Sequence, residues 1–449
     1  MKSFFLTLFV LSSSVVFGQS IDYTDVAVIV NDNSPTSISI GDYFQNARNI
    51  PNENIIHVSA PTTEDIDSLQ FELIRAQIED YLIANDLINS INYLVTTKGL
   101  PLRIDSECVA STNIDKSCAS FDSELTLILG TFSNKIGLNG STSNPIYNAT
   151  QHFSKANSGI YLVTRLDGYT AQDVFSLIDR SGPLTGINPL SSQAIVDMNV
   201  STIGDTSFFL NFYLQPTYNY LVSNNWNALL ETDNSTPVTN QQNVFSYVYG
   251  GNGPLSDISL NYTWTNGSIG SMSTCSSAYT FNNSLNPQNF ILIADLIKEG
   301  CTGAYGNVDC IYFSQLLNTE ILHNRYLDPI NNYNLAESFY MSEPNLSWQA
   351  VIVGDPKTSV TSNSTAALDV TEMKSTTVFP NPSSGLVYIR SAEPITSVAI
   401  YQLNGTILKT LHSTDKELAL NLTEFSSGVY ILQLATGGQF IRERIVLNN

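Results

Sequence analysis

Short apolar runs alternate with longer segments of helical spacing over residues 21–357. Runs of strand length occur, for example, at 25–31, 91–97 and 349–355. Between such runs, segments like 66–87 place apolar side chains three or four residues apart, which is the spacing of an amphipathic helix. Apolar strands separated by helices are typical of a parallel sheet that is covered on both faces. We therefore predict an α/β domain with a mainly parallel sheet over 21–357.

The other predicted elements continue this alternation, and Ser37 is expected to cap the first helix. No internal repeat is visible in the sequence. Because ligands of such sheets bind beyond the carboxyl ends of the strands, the residues that follow each strand are the first place to look for a site. The remaining strands are predicted at 54–59, 160–165, 195–199, 244–250, 268–275 and 302–308, and the remaining helices at 37–50, 172–178, 289–299, 312–323 and 334–341.

The pattern changes in the C-terminal region. Residues 358–377 are rich in Ser, Thr and Ala and lack apolar periodicity, which predicts a linker. Residues 378–449 contain four segments of alternating apolar residues, separated by turn residues such as Asn404-Gly405 and Ser427-Gly428. This arrangement predicts a small all-β sandwich.

Short sequence words in 378–449 resemble the C-terminal sorting domain of type IX secretion in Bacteroidetes. They are a PNP-x-x-G opening at 380–385, a Y-x-x-x-G hairpin at 401–405, a G-V-Y strand at 428–430, and a basic final strand with Arg442 and Arg444. One departure is Gln402, where the family usually has Asp. The resemblance implies handling by the type IX secretion machinery, export across the outer membrane, and then surface attachment or release. The alternative is an adhesive β-domain.

The N-terminus is consistent with export. A charged start at Lys2, an apolar stretch at 4–17 and a small-residue exit at Gly18 predict a secretory signal peptide over 1–18. The stretch is too short, and too interrupted by serines, for a membrane anchor. We expect a secreted or outer-membrane surface protein without a membrane span once the signal peptide is removed.

Composition narrows the classes further. The chain has 449 residues, with 19 Lys and Arg against 40 Asp and Glu, so its formal net charge is −21. Nucleic acid is therefore an unexpected partner, since binding it requires a basic surface. The apolar fraction of 43% supports a large core, which argues against disorder. No internal run approaches about 18 apolar residues, which argues against a polytopic membrane protein.

Five cysteines in an exported chain leave at least one without a partner within the chain. We expect a disulfide between Cys108 and Cys118, which lie in one loop-like stretch. Cys301 and Cys310 form the second candidate pair, although a strand between them would hold them apart. Cys275 is then left over, either as a reactive thiol or as a small buried hydrophobic residue.

The segment 270–308 resembles the nucleophile region of gingipain-like cysteine peptidases, which have the caspase-type α/β fold. Cys275 ends a predicted strand and matches the family's nucleophile. The family's catalytic His lies on the preceding strand, but here Gly250 stands at or next to that position, beside Tyr249. The resemblance implies a gingipain/caspase-like architecture for 21–357 whose His–Cys dyad is incomplete.

The missing His weakens the expectation of catalysis. A thiol with the usual pKa of about 8.5 is only a few per cent thiolate at neutral pH. Tyr249 could donate a hydrogen bond, but tyrosine titrates near 10. His57 ends a predicted strand and could lie on the same sheet edge as Cys275, or it is simply a solvated strand-end histidine.

The whole of 21–357 resembles still more closely an uncharacterised family of secreted bacterial proteins. The shared words are TKGLPLRI (97–104), LVTRLDG (162–168) and AESFYMSEPNLSWQAVIVGDP (336–356). This resemblance implies a fold and secretion but no reaction.

Two cations follow a predicted strand in this acidic chain. Lys98 and Arg103 could hold a carboxylate or phosphate group, or could form salt bridges with nearby acids such as Asp105 and Glu107. We expect no cofactor. Calcium is the one possible ion, with oxygens from acids near strand ends. These acids are Asp122, Glu124, Asp197, Asp309 and Asp355.

Two functional hypotheses follow. In the first, the chain is an exported binding or structural protein of unknown biochemical activity on a peptidase-like scaffold. In the second, it is a cysteine hydrolase or peptidase that uses Cys275 with a non-standard base. The second requires a free Cys275 within reach of such a base.

Overall fold

The computed structural model describes twelve stretches of the chain. The division into two units falls after Thr365, and each unit is described by itself below. The described residues are 21–105, 119–128, 141–199, 209–232, 237–251, 258–286, 290–310, 315–362, 376–391, 393–402, 407–436 and 439–448. The predicted signal peptide at 1–18, together with Cys108 and Cys118, lies outside them.

The first unit is built from short strands. In chain order they are β1 (Val26–Asn31), β2 (Ile55–Val58), β3 (Asp65–Asp67), β4 (Tyr93–Thr97), β5 (Arg103–Asp105), β6 (Ala119–Ser120), β7 (Thr142–Ser143), β8 (Leu162–Leu166), β9 (Pro183–Ile187), β10 (Gln193–Asn199), β11 (Asn227–Glu231), β12 (Val244–Gly251), β13 (Trp264–Ser273), β14 (Gly303–Asn307), β15 (Asn345–Leu346), β16 (Ala350–Val353) and β17 (Ser359–Ser362).

Ten of these strands form one sheet in the order β11-β10-β12-β13-β14-β16-β8-β4-β1-β2. β16 is antiparallel to β14 and meets β8 at one residue pair, Val353 with Arg165. The remaining neighbours are parallel. The predicted mainly parallel sheet is therefore confirmed, with one antiparallel pairing that the apolar pattern of β16 does not reveal.

Helices cover both faces of this sheet. The α-helices of the described residues are α1 (Pro35–Arg48), α2 (Ser68–Ala84), α3 (Phe121–Leu125), α4 (Lys155–Ser158), α5 (Ala171–Asp179), α6 (Gln215–Ser223), α7 (Ile293–Glu299), α8 (Thr319–Tyr326) and α9 (Leu335–Ser342). A π-helical turn, Phe209–Leu214, precedes α6. Alternate residues of β1 enter two different cores: Val28 and Val30 pack in one, and Ala27 and Ile29 in the other. Strands buried on both faces account for the uninterrupted apolar runs in the sequence.

The start of α1 differs from the prediction. Ser34, not Ser37, is the N-cap, and its side chain accepts a hydrogen bond from the backbone N–H of Ser37. Pro35 occupies the first helical position because its fixed φ suits a helix and its missing N–H would have had no helical partner there. Asn49 ends the helix with a left-handed φ of 53°.

The two halves of the large sheet share one strand order. The first half reads β2-β1-β4-β8 and the second reads β11-β10-β12-β13. In the first half, β2 pairs with the outer side of β1, and the chain then returns so that β4 pairs with the inner side of β1. In the second half, β11 and β12 pair in the same way with the outer and inner sides of β10. The carboxyl ends on either side of that reversal, at β1/β4 and at β10/β12, form two topological switch points, where ligands bind in open α/β sheets.

The second unit is a β-sandwich. Its strands are β18 (Thr376–Phe379), β19 (Leu386–Ser391), β20 (Ile395–Gln402), β21 (Ile407–His412), β22 (Glu417–Asn421), β23 (Gly428–Thr436) and β24 (Gln439–Leu447). They form the antiparallel sheets β18-β19-β22 and β21-β20-β23-β24. Alternate apolar residues, such as Val387, Ile389, Leu432 and Leu434, fill a core between the sheets. At the start of the predicted linker, β17 pairs with β9 and so extends the first unit to Ser362.

Candidate functional site

The two positions of the incomplete dyad lie at the ends of adjacent strands. β12 and β13 are parallel, and their register places Gly250 opposite Ser273. Cys275 follows two residues later. Gly250 and Cys275 therefore occupy neighbouring strand ends at one edge of the sheet, where the resemblance predicts a base and a nucleophile.

Cys275 forms a disulfide with Cys310. The candidate pair Cys301–Cys310 is therefore wrong, and Cys275 is not left over. β14 separates Cys301 from Cys310, whereas a hydrogen bond from the Ser276 N–H to the Asp309 carbonyl joins the turn after β13 to the end of β14. The sulfur of Cys275 is thus not a thiol nucleophile in this structure.

Cys301 is the free, buried cysteine of the described residues. Its thiol donates to the carbonyl of Gly303 over 3.2 Å, and burial raises its pKa to about 12. A buried thiol with a raised pKa is unreactive. Cys301, rather than Cys275, is therefore the cysteine that packs as a small buried hydrophobic residue.

Gly250 is covered by an apolar side chain. A Cβ atom at this position would lie 3.1 Å from Leu214 Cδ2 and 3.4 Å from Leu214 Cδ1. Leu214 is fully buried and ends the π-helical turn that crosses β12. An imidazole at Gly250 would have to displace Leu214. The position at which the resemblance predicts a histidine therefore lacks that residue and is also filled by a leucine side chain.

The other possible bases do not serve Cys275. Tyr249 is 1% exposed, and burial raises its pKa far above the ordinary value, so it stays protonated. His57 lies on β2 and its Nδ1 is 2.6 Å from Asp32 Oδ1. Five strands separate β2 from β13, so at about 4.8 Å per strand step the two strands are roughly 29 Å apart.

Lys98 and Arg103 hold protein groups after β13. Lys98 Nζ donates to the carbonyl of Phe281 over 3.0 Å and to Asp167 Oδ1 over 3.2 Å. Arg103 pairs with both carboxylate oxygens of Asp65, at 2.5 and 2.8 Å, and also donates to the carbonyl of Tyr279. Glu107 lies outside the described residues. The two cations thus fix the segment 279–281 against the carboxyl edge of the first half.

A polar pocket of about 360 Å³ opens at the β1/β4 switch point. Ser34 and Thr36 line it after β1, Lys98 after β4, and Asp167 after β8. Glu64 and Phe281 are also among the lining residues. The Glu64 carboxylate accepts from the Phe281 N–H at 2.8 Å and from the Thr280 hydroxyl at 2.6 Å. Burial raises the pKa of Glu64 above its ordinary value.

A fully buried arginine supports the floor of this pocket. Arg165 donates to both carboxylate oxygens of Asp122, at 2.7 and 3.0 Å, and to Asp167 Oδ2 at 3.2 Å. It also donates to the carbonyl of Pro101 at 2.6 Å. The Arg165 charge is therefore neutralised by its protein partners.

Sequence reasoning missed a buried carboxyl group that contacts Tyr305 on β14. Burial raises the pKa of Glu343 to about 8, against the lowering effect of hydrogen bonds from Tyr305 and the Asn345 backbone. The Tyr305 hydroxyl also lies 3.2 Å from Asn307 Oδ1. Glu343 follows α9, where nothing in the local sequence distinguishes it from a solvent-exposed acid.

The five acids considered for calcium have separate partners. Among the residues described, no three His, Cys, Asp or Glu side chains come together as a metal-binding group. Asp122 binds Arg165, Glu124 binds Ser347, Asp197 binds Tyr247, Asp309 binds the Cys310 N–H, and Asp355 binds Arg48.

Comparison with known families identifies the second unit. Residues 377–448 match the family model of the secretion system C-terminal sorting domain. This tail implies export through type IX secretion, to the cell surface or to the medium. A comparison of the chain with curated proteins found no match. In the described part of the chain, no helix has the length and apolar character needed to cross a membrane.

Proposed function

We propose that this chain is an exported, non-catalytic binding protein whose first unit has a gingipain/caspase-like scaffold with a closed dyad. The observation that carries the proposal is that both dyad positions are blocked: Cys275 is bonded to Cys310, and Leu214 covers Gly250. The sorting tail accounts for export, and the predicted signal peptide at 1–18 would supply the first membrane crossing.

The scaffold proposal is supported by strand order. Gly250 lies at the end of β12, Cys275 follows the adjacent parallel strand β13, and the helix α7 then leads to β14, as in the resemblance drawn from 270–308. These features describe a shared arrangement of elements. Function has to be argued from the site itself.

Two chemical features of the site disfavour thiol catalysis: the disulfide at Cys275 and the lack of a suitable base beside it. A disulfide sulfur supplies no thiolate, and the thiolate is the nucleophile of cysteine hydrolases. Even after reduction, general acid–base catalysis would need a titrating group within hydrogen-bonding distance. Tyr249 is held protonated by burial, and His57 lies across five strands.

The test is alkylation by iodoacetamide across pH, read by peptide mapping. The native chain should show no carbamidomethylation at Cys275 at any pH at which it stays folded. After mild reduction, Cys275 should react with an apparent pKa near the ordinary value of about 8.5, because no base lowers it.

Cys275→Ala and Cys310→Ala are the matched controls. In Cys310→Ala the thiol of Cys275 is released without a reductant, so its pH profile can be measured in the folded chain. Labelling of native Cys275, or an apparent pKa well below 8.5 in Cys310→Ala, would contradict the proposal and favour a hydrolase.

A further inference from the structure

We infer that the pocket at the β1/β4 switch point binds a neutral polyhydroxylated ligand, of the class of a monosaccharide or the end of a glycan. This inference rests on the proposed function, since it supplies the ligand site of a binding protein. It uses none of the dyad residues, so the two can be tested separately.

The place and size of the pocket are those of a ligand site. It lies outside the carboxyl ends of β1, β4 and β8, on either side of the reversal in strand order. Ligands of open α/β sheets bind at such points. The volume of about 360 Å³ falls within the range of small-molecule pockets.

The charges around the pocket favour a neutral ligand. Asp167 is shared between Lys98 and Arg165, at 3.2 Å from each. Arg165 is also paired with Asp122. An anionic ligand would compete with Asp167 for Lys98 and would be repelled by Glu64. A cationic ligand would be repelled by Lys98. A neutral ligand leaves these ion pairs in place.

The hydrogen-bonding groups favour hydroxyls. Each Glu64 oxygen accepts one protein hydrogen bond and can accept another. Lys98 Nζ has two protein acceptors and three N–H donors. A ligand hydroxyl can donate to a carboxylate and accept from an ammonium. Two vicinal hydroxyls of an uncharged ligand can therefore hydrogen-bond both Glu64 and Lys98. The Thr36 hydroxyl adds a group that both donates and accepts.

An aromatic ring completes the site. Tyr169 lines the same pocket as these polar groups, whereas Phe281 is 1% exposed and its ring packs in the core. The Phe281 backbone is held at both ends, with its N–H on Glu64 and its carbonyl on Lys98. A sugar ring presents C–H groups on its faces and hydroxyls at its edge, which suits walls of both kinds.

Isothermal titration of the native, disulfide-intact chain tests this assignment. The probes are glucose, galactose, mannose and N-acetylglucosamine, each titrated to about 10 mM, with glycine and inorganic phosphate as charged alternatives. At least one sugar should bind saturably. Lys98→Met and Glu64→Gln should each weaken that sugar at least tenfold, while Lys409→Met in the sorting domain should leave it unchanged.

Because Lys98 and Glu64 also hold Phe281, a third variant separates binding from folding. Thr36→Val removes one hydroxyl of the pocket and should weaken the sugar several-fold with no loss of thermal stability. The assignment is overturned if none of the sugars binds, if binding survives all three pocket variants, or if glycine or phosphate binds there instead. Failure of all sugars with an unreactive Cys275 would overturn this ligand class and leave the proposed function standing.

Discussion

At the residue scale, a leucine side chain fills the position at which the resemblance to gingipain-like peptidases places a histidine. Gly250 lets Leu214 approach the end of β12 to within van der Waals distance, and the leucine is fully buried there. A histidine at position 250 would have to displace that side chain.

The first prediction concerns this contact. Gly250→His should destabilise the first unit by about 1–3 kcal/mol because it overpacks a filled site. Leu214→Ala alone should cost about 2–5 kcal/mol through the cavity it leaves. The double variant should be more stable than the sum of these two effects implies, since the imidazole can enter the space that Leu214 vacates.

Urea unfolding of the four chains measures this coupling. Gly428→His, in the separate sandwich, serves as a control for inserting an imidazole elsewhere and should show no coupling to Leu214→Ala. Strictly additive effects of Gly250→His and Leu214→Ala would contradict the described packing.

The second prediction concerns Glu343. Its folded pKa is raised to about 8 from the ordinary value of 4.5, so the folded chain holds a proton that the unfolded chain releases. This contribution to stability is complete below about pH 4.5 and is lost as pH rises towards 8. The loss should reach at most about 1.4 kcal/mol per pH unit.

Glu343→Gln mimics the protonated carboxyl and removes its titration. The stability of wild type relative to Glu343→Gln should therefore fall between pH 5 and pH 8, as measured by urea unfolding. Asp197, whose pKa burial raises to about 6, titrates in both chains and cancels in the difference. The exposed variant Glu320→Gln is the control, and a difference that rises with pH would refute the assignment.

At the element scale, buried ion pairs join neighbouring elements below the pocket. Arg165 on β8 binds Asp122 on α3, and all of these side-chain atoms lie away from solvent. A buried pair of this kind adds little net stability, but removing one partner leaves the other charged and unpaired. It therefore fixes where α3 sits against the sheet.

The third prediction follows from this pair. Arg165→Met should destabilise the first unit by about 3–5 kcal/mol because Asp122 and Asp167 lose their shared partner. Arg75→Met on α2, where the side chain is partly exposed, should cost about 1 kcal/mol or less, although Arg75 also has two acidic partners. Equal costs in chemical denaturation would show that Arg165 is not the buried partner described.

The sequence predicts elements better than it predicts their pairing. The apolar runs at 25–31, 91–97 and 244–250 mark β1, β4 and β12 because these strands are buried on both faces. The direction of β16 is not predictable in this way, since a buried strand has the same apolar pattern in either direction. β11, only partly buried, has no such run and was missed.

The site was predicted only in part for a related reason. Residues at the ends of buried strands, such as Lys98 and Gly250, could be located because sheet edges follow from strand ends. The partners Leu214, Glu64 and Cys310 come from distant segments. Packing across the sheet decides which of these residues reaches a given strand end. The spacing of residues along the chain does not encode this packing.

At the scale of the whole molecule, the first unit repeats one strand order and uses its two halves differently. Lys98 and Asp167 follow β4 and β8 in the first half, while Gly250 and Cys275 stand at the ends of β12 and β13 in the second. These are equivalent places in the two strand orders. Phe281, which follows β13 in the second half, lines the pocket of the first half.

The fourth prediction concerns export. In a bacterium that has a type IX secretion system, deletion of 377–449 should retain the first unit in the periplasm, because the matched sorting domain is lost. Immunoblotting of surface, medium and periplasmic fractions measures the outcome. A periplasmic carrier fused to 366–449 should in turn be exported, and equal surface levels of intact and truncated chains would contradict the role of the tail.

Non-reducing peptide mapping of the native exported chain tests whether the sulfur of Cys275 is blocked, as the proposed function requires. We expect a linked peptide pair that contains Cys275 and Cys310, with Cys301 recovered as a free thiol only after unfolding. Recovery of Cys275 as a free thiol in the folded chain, or linked to any cysteine other than Cys310, would contradict this expectation.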